Sequence, residues 1–388
     1  MMLPVEILMW LVRLVGILGM LYLILISLYT IGWYFKPLPV AEEANDHTTD
    51  HAFRVSILIA ARNEQENISL LLHDLHQQRY NHKLMEIILV DDHSTDATSC
   101  RALQFIQEHP NFNCQLIASE KHGKKAALSQ ALKKAKNEIV LFTDADCRLG
   151  PGWVSTMLSV FKHDHIRLAL GPVLIDPAAS LFGRLQALEM ISLTGSTAGS
   201  CDLGFPVMAN GANLGFRRSV GNEPDYHDFS NWYTSGDDVF LMLSVIRKYG
   251  RKAVMFAKST DAIVRTEPAG GLMPFFQQRL RWVSKSRGYN HPMIVIPALI
   301  VGFFNLSLVF VLLSGIFEPA MLLVYLLFVG FKTFVDYPVL LATSRFMKRT
   351  NLLVLIFPLQ LIYPVYVALS GIAGLLLPFT WKGRSYRK

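Results

Sequence analysis

Asp144 and Asp146 stand on either side of one alanine in the stretch TDADC, where a loop can turn both carboxylates toward one point. Hard oxygen donors in that number suit Mg2+ or Mn2+, which typically bind through one or two protein carboxylates together with phosphate oxygens. A nucleoside diphosphate fits such a site. The bland alternative is an aspartate-rich helix N-terminus, where the same carboxylates only offset the helix dipole.

Four further stretches carry groups able to act on such a ligand. Asp91 and Asp92, in DDHSTD, can accept from a base imide or a ribose hydroxyl, and Lys124, just after Gly123, can offer an ammonium to the same ligand. Asp237 and Asp238, in SGDDVFL, fall at the expected start of a helix, whose dipole keeps both ionised. An ionised carboxylate beside an acceptor hydroxyl is a general base, and an ordinary N-cap pair is its structural alternative. In QQRLRW, Arg281 suits a phosphate, Trp282 offers a flat apolar face to a sugar or acceptor, and Gln278 both donates and accepts. Its alternative is an interfacial amphipathic helix, with Phe275 and Phe276 among lipid headgroups and Arg279, Arg281, Lys285 and Arg287 reaching for water. The glycines of GANLGFRR fit either a loop that lets backbone approach a substrate or a plain turn. Neither a Walker loop nor a GxGxxG fingerprint occurs, which argues against triphosphate hydrolysis and dinucleotide redox chemistry.

The elements that must hold these groups read as strands alternating with helices. RVSILIA (54–60), MEIILV (85–90), CQLIA (114–118) and EIVLF (138–142) are short apolar runs of the kind buried on both faces. Helical spacing fills 64–78 and 124–136, and Ser94 or Thr95 is a candidate cap for a helix running to about Glu108. The fold class expected is therefore α/β, with a mostly parallel, doubly wound sheet whose ligands sit beyond the carboxyl ends of the strands. Those ends are Ala61, Arg62 and Glu64 of ARNE, then Asp91 and Asp92, then Asp144 and Asp146.

Composition frames the whole chain. Of 388 residues, 52% are hydrophobic and 17% charged, and the mean hydropathy is +0.32, unusual for a soluble enzyme. Leu14–Phe35 is uncharged and of spanning length; a signal peptide competes for it, although the run is long for one and lacks a small-residue cleavage site. Residues 292–317, 319–344 and 351–380 supply three more segments, with Lys332 and Asp336 one helical turn apart in the second. The expected organisation is an anchor (1–36), a linker (37–53), a catalytic domain (54–270), an interfacial helix (271–291), a membrane region (292–380) and a basic tail (381–388). The net charge of +7 gathers at span ends, which orients the catalytic domain to the cytoplasm and speaks against a nucleic-acid partner. A cytoplasmic tail with three full spans before it conflicts with that orientation, so the proline-bearing last segment is the candidate for a re-entrant or broken helix. The four cysteines have no metal-site spacing.

Taken in order, ARNE, VDDHSTD, TDADC, SGDD and QRLRW resemble the signatures of membrane-bound family-2 glycosyltransferases with a GT-A domain, the family of cellulose, hyaluronan and ceramide glucosyl synthases. The likeness covers about Val55 to Trp282. It implies an inverting transfer from a nucleotide-sugar, with Asp91 and Asp92 on the uridine and Ala61, Arg62, Glu64 and Lys124 among the substrate-binding residues. It further implies a Mg2+ or Mn2+ diphosphate on Asp144 and Asp146, Asp238 as base, and Gln278, Arg281 and Trp282 on the acceptor side and diphosphate. The family commonly has Glu-Asp where this chain has Asp237-Asp238, which leaves the choice of base open. Four spans are few for a polymer-threading synthase, so the expected acceptor is a membrane lipid and the expected setting the cell's inner or plasma membrane. A processive polysaccharide synthase is the alternative, and a non-catalytic membrane scaffold the alternative of another class.

Overall fold

A computed structural model describes residues 5–35, 53–176, 180–221, 237–381 and 384–386. The elements run α1 (Val5–Phe35), β1 (Val55–Ala61), α2 (Ile68–His76), β2 (Met85–Asp91), α3 (Thr98–Glu108), β3 (Cys114–Ala118), α4 (Lys124–Lys134), β4 (Ile139–Phe142) and β5 (Arg148–Leu149). There follow α5 (Trp153–Ser159), β6 (Leu168–Leu170), β7 (Val173–Ile175), α6 (Leu181–Asp202), β8 (Leu214–Arg217), α7 (Arg218–Gly221), α8 (Asp237–Tyr249), β9 (Val254–Phe256) and β10 (Val264–Thr266). Last come α9 (Leu272–Ser284), α10 (Pro292–Ser314), α11 (Ala320–Phe346), α12 (Ile356–Leu376), β11 (Phe379–Trp381) and β12 (Arg384–Tyr386). Residues 37–52 of the expected linker, and Ser235 and Gly236 of SGDD, lie outside the described residues.

Two compact units result, one of Met1–Lys36, Pro177–Val207 and Pro268–Lys388, the other of Pro37–Asp176 and Met208–Glu267. The stretch 177–207, read from sequence as part of the catalytic segment, groups with the apolar helices.

In the second unit a mixed sheet has the order β3-β2-β1-β4-β8-β6-β9. β3, β2, β1 and β4 are mutually parallel, whereas β8 runs antiparallel to both β4 and β6. The strands β1, β2 and β4 are almost wholly buried, as their unbroken Val, Ile and Leu runs require. β3 differs: it is an edge strand and its residues are half-buried or exposed, so the expectation of two covered faces fails there. GANLGFRR, read as a loop or turn, is a turn followed by β8, and Gly215 inside β8 lies against Leu141, whose Cδ2 an added Cβ would meet at 2.6 Å.

Register decides where the polar ends emerge. Ala61 pairs with Asp91, and Asp91 with Ala118, so β1, β2 and β3 finish level. Phe142, the last residue of β4, pairs with Leu58. β4 therefore stops three residues short of its neighbour's end, roughly 10 Å at the rise of a strand, and Thr143 to Asp146 leave the sheet into a recess. On the other side of β4, Leu214 opens β8 opposite Phe142, which brings the turn before β8 to the same edge.

The first unit holds four helices long and apolar enough to cross a membrane: Val5–Phe35, Pro292–Ser314, Ala320–Phe346 and Thr350–Leu376. The last was the candidate for a break; it opens with a tight turn at Thr350–Leu355 and is then one helix, Ile356–Leu376, that carries Pro364 in its interior. One missing ladder bond bends or weakens a helix without ending it when neighbouring helices pack against it. α6 packs on α1 at backbone contact: a Cβ on Gly199 would stand 2.0 Å from the Tyr29 carbonyl, and one on Gly32 2.0 Å from the Gly199 carbonyl. The predicted pairing of Lys332 with Asp336 is present, Nζ to Oδ2 at 2.7 Å. Gln360 bonds both partners, at 2.8 and 2.6 Å, and the Tyr22 hydroxyl donates to Asp336 at 2.6 Å. All four side chains are buried, so the charges are satisfied by α1, α11 and α12 together. The basic tail is not a plain extension, since β11 and β12 pair antiparallel with Trp381 opposite Arg384.

Candidate active site

Beyond the ends of β1, β2 and β4 the polar stretches are stitched to one another. Arg62 Nη1 donates to the Asp92 carbonyl at 3.0 Å, and the Asp92 amide to the Ala61 carbonyl at 2.8 Å. The Gly123 amide donates to Asp92 Oδ1 at 2.9 Å, which ties the start of α4 to the end of β2. Lys124, expected to offer its ammonium to the ligand, forms an ion pair with Asp144. It thus neutralises one of the two carboxylates in the recess. Glu64, expected on the substrate, is buried, and its Oε2 accepts from Asn67 Nδ2 at 2.9 Å, at the start of α2. Neither Ser94 nor Thr95 caps α3. Ala97 is the N-cap residue, and Asp96 just before it accepts from the Thr98 amide at 3.0 Å; hydrogen bonds from Thr98 and Gln65 outweigh burial and hold the Asp96 carboxyl below the usual range.

Two buried oxygens at this edge lack a hydrogen-bond partner among the described residues, Asp91 Oδ1 and Thr143 Oγ1. Leaving such a group unpaired costs about 1–3 kcal/mol, so each is a position where a ligand donor is gained at a premium. Asp144 and Asp146 are half-buried, and the Asp144 side chain keeps 31% of its exposure. Burial, reinforced by Asp146 and Asp144, pushes the neighbouring Cys147 thiol well up, so it stays protonated. The donor set is thus carboxylate oxygen without thiolate, which fits a hard divalent cation.

Asp238 lies in the first turn of α8, with Oδ2 accepting from the Gly211 amide at 3.1 Å and Oδ1 from the Val239 amide at 2.9 Å. Gly211 belongs to the turn before β8, so Asp238 is tied to the edge from which Thr143 to Asp146 emerge. The Asp237 side chain lies outside the described residues.

Gln278, Arg281 and Trp282 lie on α9 in the first unit. Arg279 does not reach for water as a helix-surface cation would; it is 4% exposed. Its guanidinium pairs with Glu189 of α6, donates to the Tyr366 hydroxyl of α12 at 2.7 Å and to Gln278 Oε1 at 2.7 Å, and lies 4.1 Å from the Trp282 ring centroid. Tyr366 in turn donates to Glu189 at 2.9 Å. Burial alone would lower the Arg279 pKa, but Glu189 and Tyr366 raise it and the charge is kept. Phe275, expected among headgroups, is buried with its ring 4.4 Å from the same guanidinium. Sequence reasoning missed Glu189, Arg279 and Tyr366 as a group; the one available signal was an acid, Glu189, in a helix otherwise rich in small and apolar residues.

Residues 56–220 match the family described as Glycosyl transferase family 2, and residues 139–373 match Glycosyl transferase family group 2. Poly-beta-1,6-N-acetyl-D-glucosamine synthase of Staphylococcus aureus is 29% identical over 239 residues, 61% of this chain and 55% of the relative. The chain thus spans about half the length of the curated relatives it matches. Glycosyltransferase AglE of Haloferax volcanii is 31% identical over 119 residues, 31% of this chain and 39% of the relative. Among solved structures, the mannosyltransferase PcManGT from Pyrobaculum calidifontis, in complex with GDP-Man and Mn2+, superposes with a TM-score of 0.57 at 18% identity, covering 88% of this chain and 99% of that one. At that identity the likeness speaks for the fold.

Proposed function

We propose that this chain, which belongs to glycosyl transferase family group 2, moves one hexose or N-acetylhexosamine from a uridine nucleotide-sugar to a lipid acceptor in the membrane that its apolar helices span. The observation that carries the reading is the convergence, at one sheet edge, of unpaired Asp91 Oδ1 and Thr143 Oγ1, the oxygen donors Asp144 and Asp146, and a tethered Asp238.

In this reading Asp91 accepts from the uracil imide, and Asp92, whose Oδ1 also holds Gly123, faces the nucleoside. Arg62 fixes the loop through the Asp92 carbonyl. Asp144 and Asp146 hold Mg2+ or Mn2+; when bound, that ion neutralises charge developing on the diphosphate leaving group. Lys124, already on Asp144, shares that task. Asp238 takes the proton of the acceptor hydroxyl, whose oxygen forms a bond to the anomeric carbon as the bond to the diphosphate breaks, and configuration inverts. The two amides that donate to Asp238 hold its carboxylate in place at the start of the helix. Gln278, Arg281 and Trp282 serve the acceptor and the diphosphate. The cations Arg345, Lys348 and Arg349 at the end of α11 support a cytoplasmic setting for the catalytic unit.

The packed cluster of Lys332, Asp336, Gln360 and Tyr22 supports single transfer, because its side chains fill the interior between α1, α11 and α12 that a threaded sugar chain would need. The likeness to a poly-N-acetylglucosamine synthase favours the second reading, a polymer product. The test is mass spectrometry after incubating purified protein with Mn2+, mixed UDP-sugars and a lipid panel. A lipid gaining one sugar supports the first reading, a lipid-free polymer the second, and UDP-sugar binding without turnover rejects both in favour of a scaffold.

A further inference from the structure

We infer that Asp92, His93 and His122 form a binding site for a transition-metal ion of borderline softness, Zn2+ being its representative, separate from the oxygen-donor pair Asp144 and Asp146. Each of the three offers one ligand atom, and these atoms lie within 4.8 Å of one another. Ligands at about 2.0–2.1 Å from a tetrahedral ion stand roughly 3.3 Å apart, so rotation of the two imidazoles closes the set without moving backbone. The rings already face each other, with centroids 3.9 Å apart and planes at 42°.

The site is built as metal sites are. Its carboxylate is fixed, since the Asp92 side chain is 2% exposed and accepts from the Gly123 amide at 2.9 Å, an outer-shell bond of the type that orients ligating oxygens. That bond joins the two segments carrying the histidines, because His93 follows Asp92 and His122 precedes Gly123. His93 has φ of 57°, which swings its imidazole out of the strand direction, and both histidines are exposed so that an ion has access. Two imidazoles and one carboxylate with open positions suit Zn2+, Co2+ or Ni2+, whereas Mg2+ and Mn2+ favour the oxygen set of Asp144 and Asp146.

Occupation has a consequence that rests on the transferase reading. An ion on Asp92 withdraws that carboxylate from the nucleoside, so Zn2+ acts as a competitor of nucleotide binding.

The test uses the full chain in detergent, stripped with chelator, and counts bound Zn2+ by equilibrium dialysis in wild type and in His93→Asn/His122→Gln. Asn tolerates the left-handed backbone of residue 93, and circular dichroism verifies that the variant is folded. Wild type is expected to hold one Zn2+ per chain more than the variant; any ion on Asp144 and Asp146 is common to both and cancels. Equal counts in two folded proteins overturn the site. In a second arm, Zn2+ at about ten times its Kd raises the Kd of UDP about tenfold in wild type and leaves the variant unchanged. A zinc count that differs by one with UDP affinity unmoved upholds the site and rejects the competition. Failure of either protein to bind UDP rejects the transferase reading and leaves the zinc count standing.

Discussion

The Gly211 amide donates to Asp238 Oδ2 at 3.1 Å, and three residues later Leu214 pairs with Phe142, two residues before Asp144. The Asp238 carboxylate, in the first turn of α8, is thereby fastened to the turn beside the metal-fitting pair. Replacing Asp238 by Asn keeps the shape and removes the proton acceptor. Turnover should fall by about 10²–10⁴-fold, the span of general-base catalysis, with UDP affinity retained. Product formation and UDP titration on the same preparation check this, and unchanged turnover removes Asp238 from the mechanism.

Asp146→Asn takes one hard oxygen donor from the recess and leaves the Lys124–Asp144 pair in place. Mn2+ should then bind more weakly, and transfer should require more of it. Titration by the electron paramagnetic resonance of free Mn2+ measures the first effect without relying on activity. Chelator should stop transfer by the wild type, and added Mn2+ should restore it.

Arg279 sits buried between Glu189, Tyr366, Gln278 and the Trp282 ring, so removing its counter-ion leaves an uncompensated charge. Glu189→Ala should cost about 3–5 kcal/mol of stability. Glu189→Gln, which keeps a hydrogen-bond acceptor, should cost less and shift KM for the acceptor through the loosened Trp282. Thermal unfolding in detergent and steady-state kinetics distinguish the two effects.

In the helix bundle, Lys332→Leu leaves Asp336 with Tyr22 and Gln360 but without its cation. The double variant Lys332→Leu/Asp336→Leu removes both charges. It should be the more stable of the two, since unpaired burial is worse than apolar replacement. Comparing their melting temperatures reads the sign of the coupling.

Cys114 is pushed up to about 12 by burial, and Cys147 is raised well above the ordinary thiol range by burial and by Asp146 and Asp144. Above the ordinary thiol range near 8.5 the unfolded chain releases these protons while the folded chain keeps them, so their contribution to stability declines as pH rises. At pH 8.5 iodoacetamide should alkylate exposed Cys100 well before Cys147, as peptide mass spectrometry can follow.

What the sequence determined by itself was whatever is written in local pattern. Apolar runs rich in Val, Ile and Leu produced β1, β2 and β4 within a residue of their expected ends, and long apolar runs produced the helices long enough to cross a membrane, because burial or lipid on all sides selects apolar residues directly. The polar strand ends carrying Asp91, Asp92, Asp144 and Asp146 were equally legible, since a parallel sheet presents them at one edge whatever its details. Tertiary structure alone decided the rest. That β4 stops level with Leu58, that β8 inserts antiparallel, and that Gly211 holds Asp238 depend on pairing between segments far apart in the chain. Lys124 choosing Asp144, and Arg279 turning inward to Glu189, follow from which opposite charge each meets once desolvated. A cation on an amphipathic helix reads as a surface group until the partner that neutralises it, here 90 residues away on α6, is brought against it by the fold.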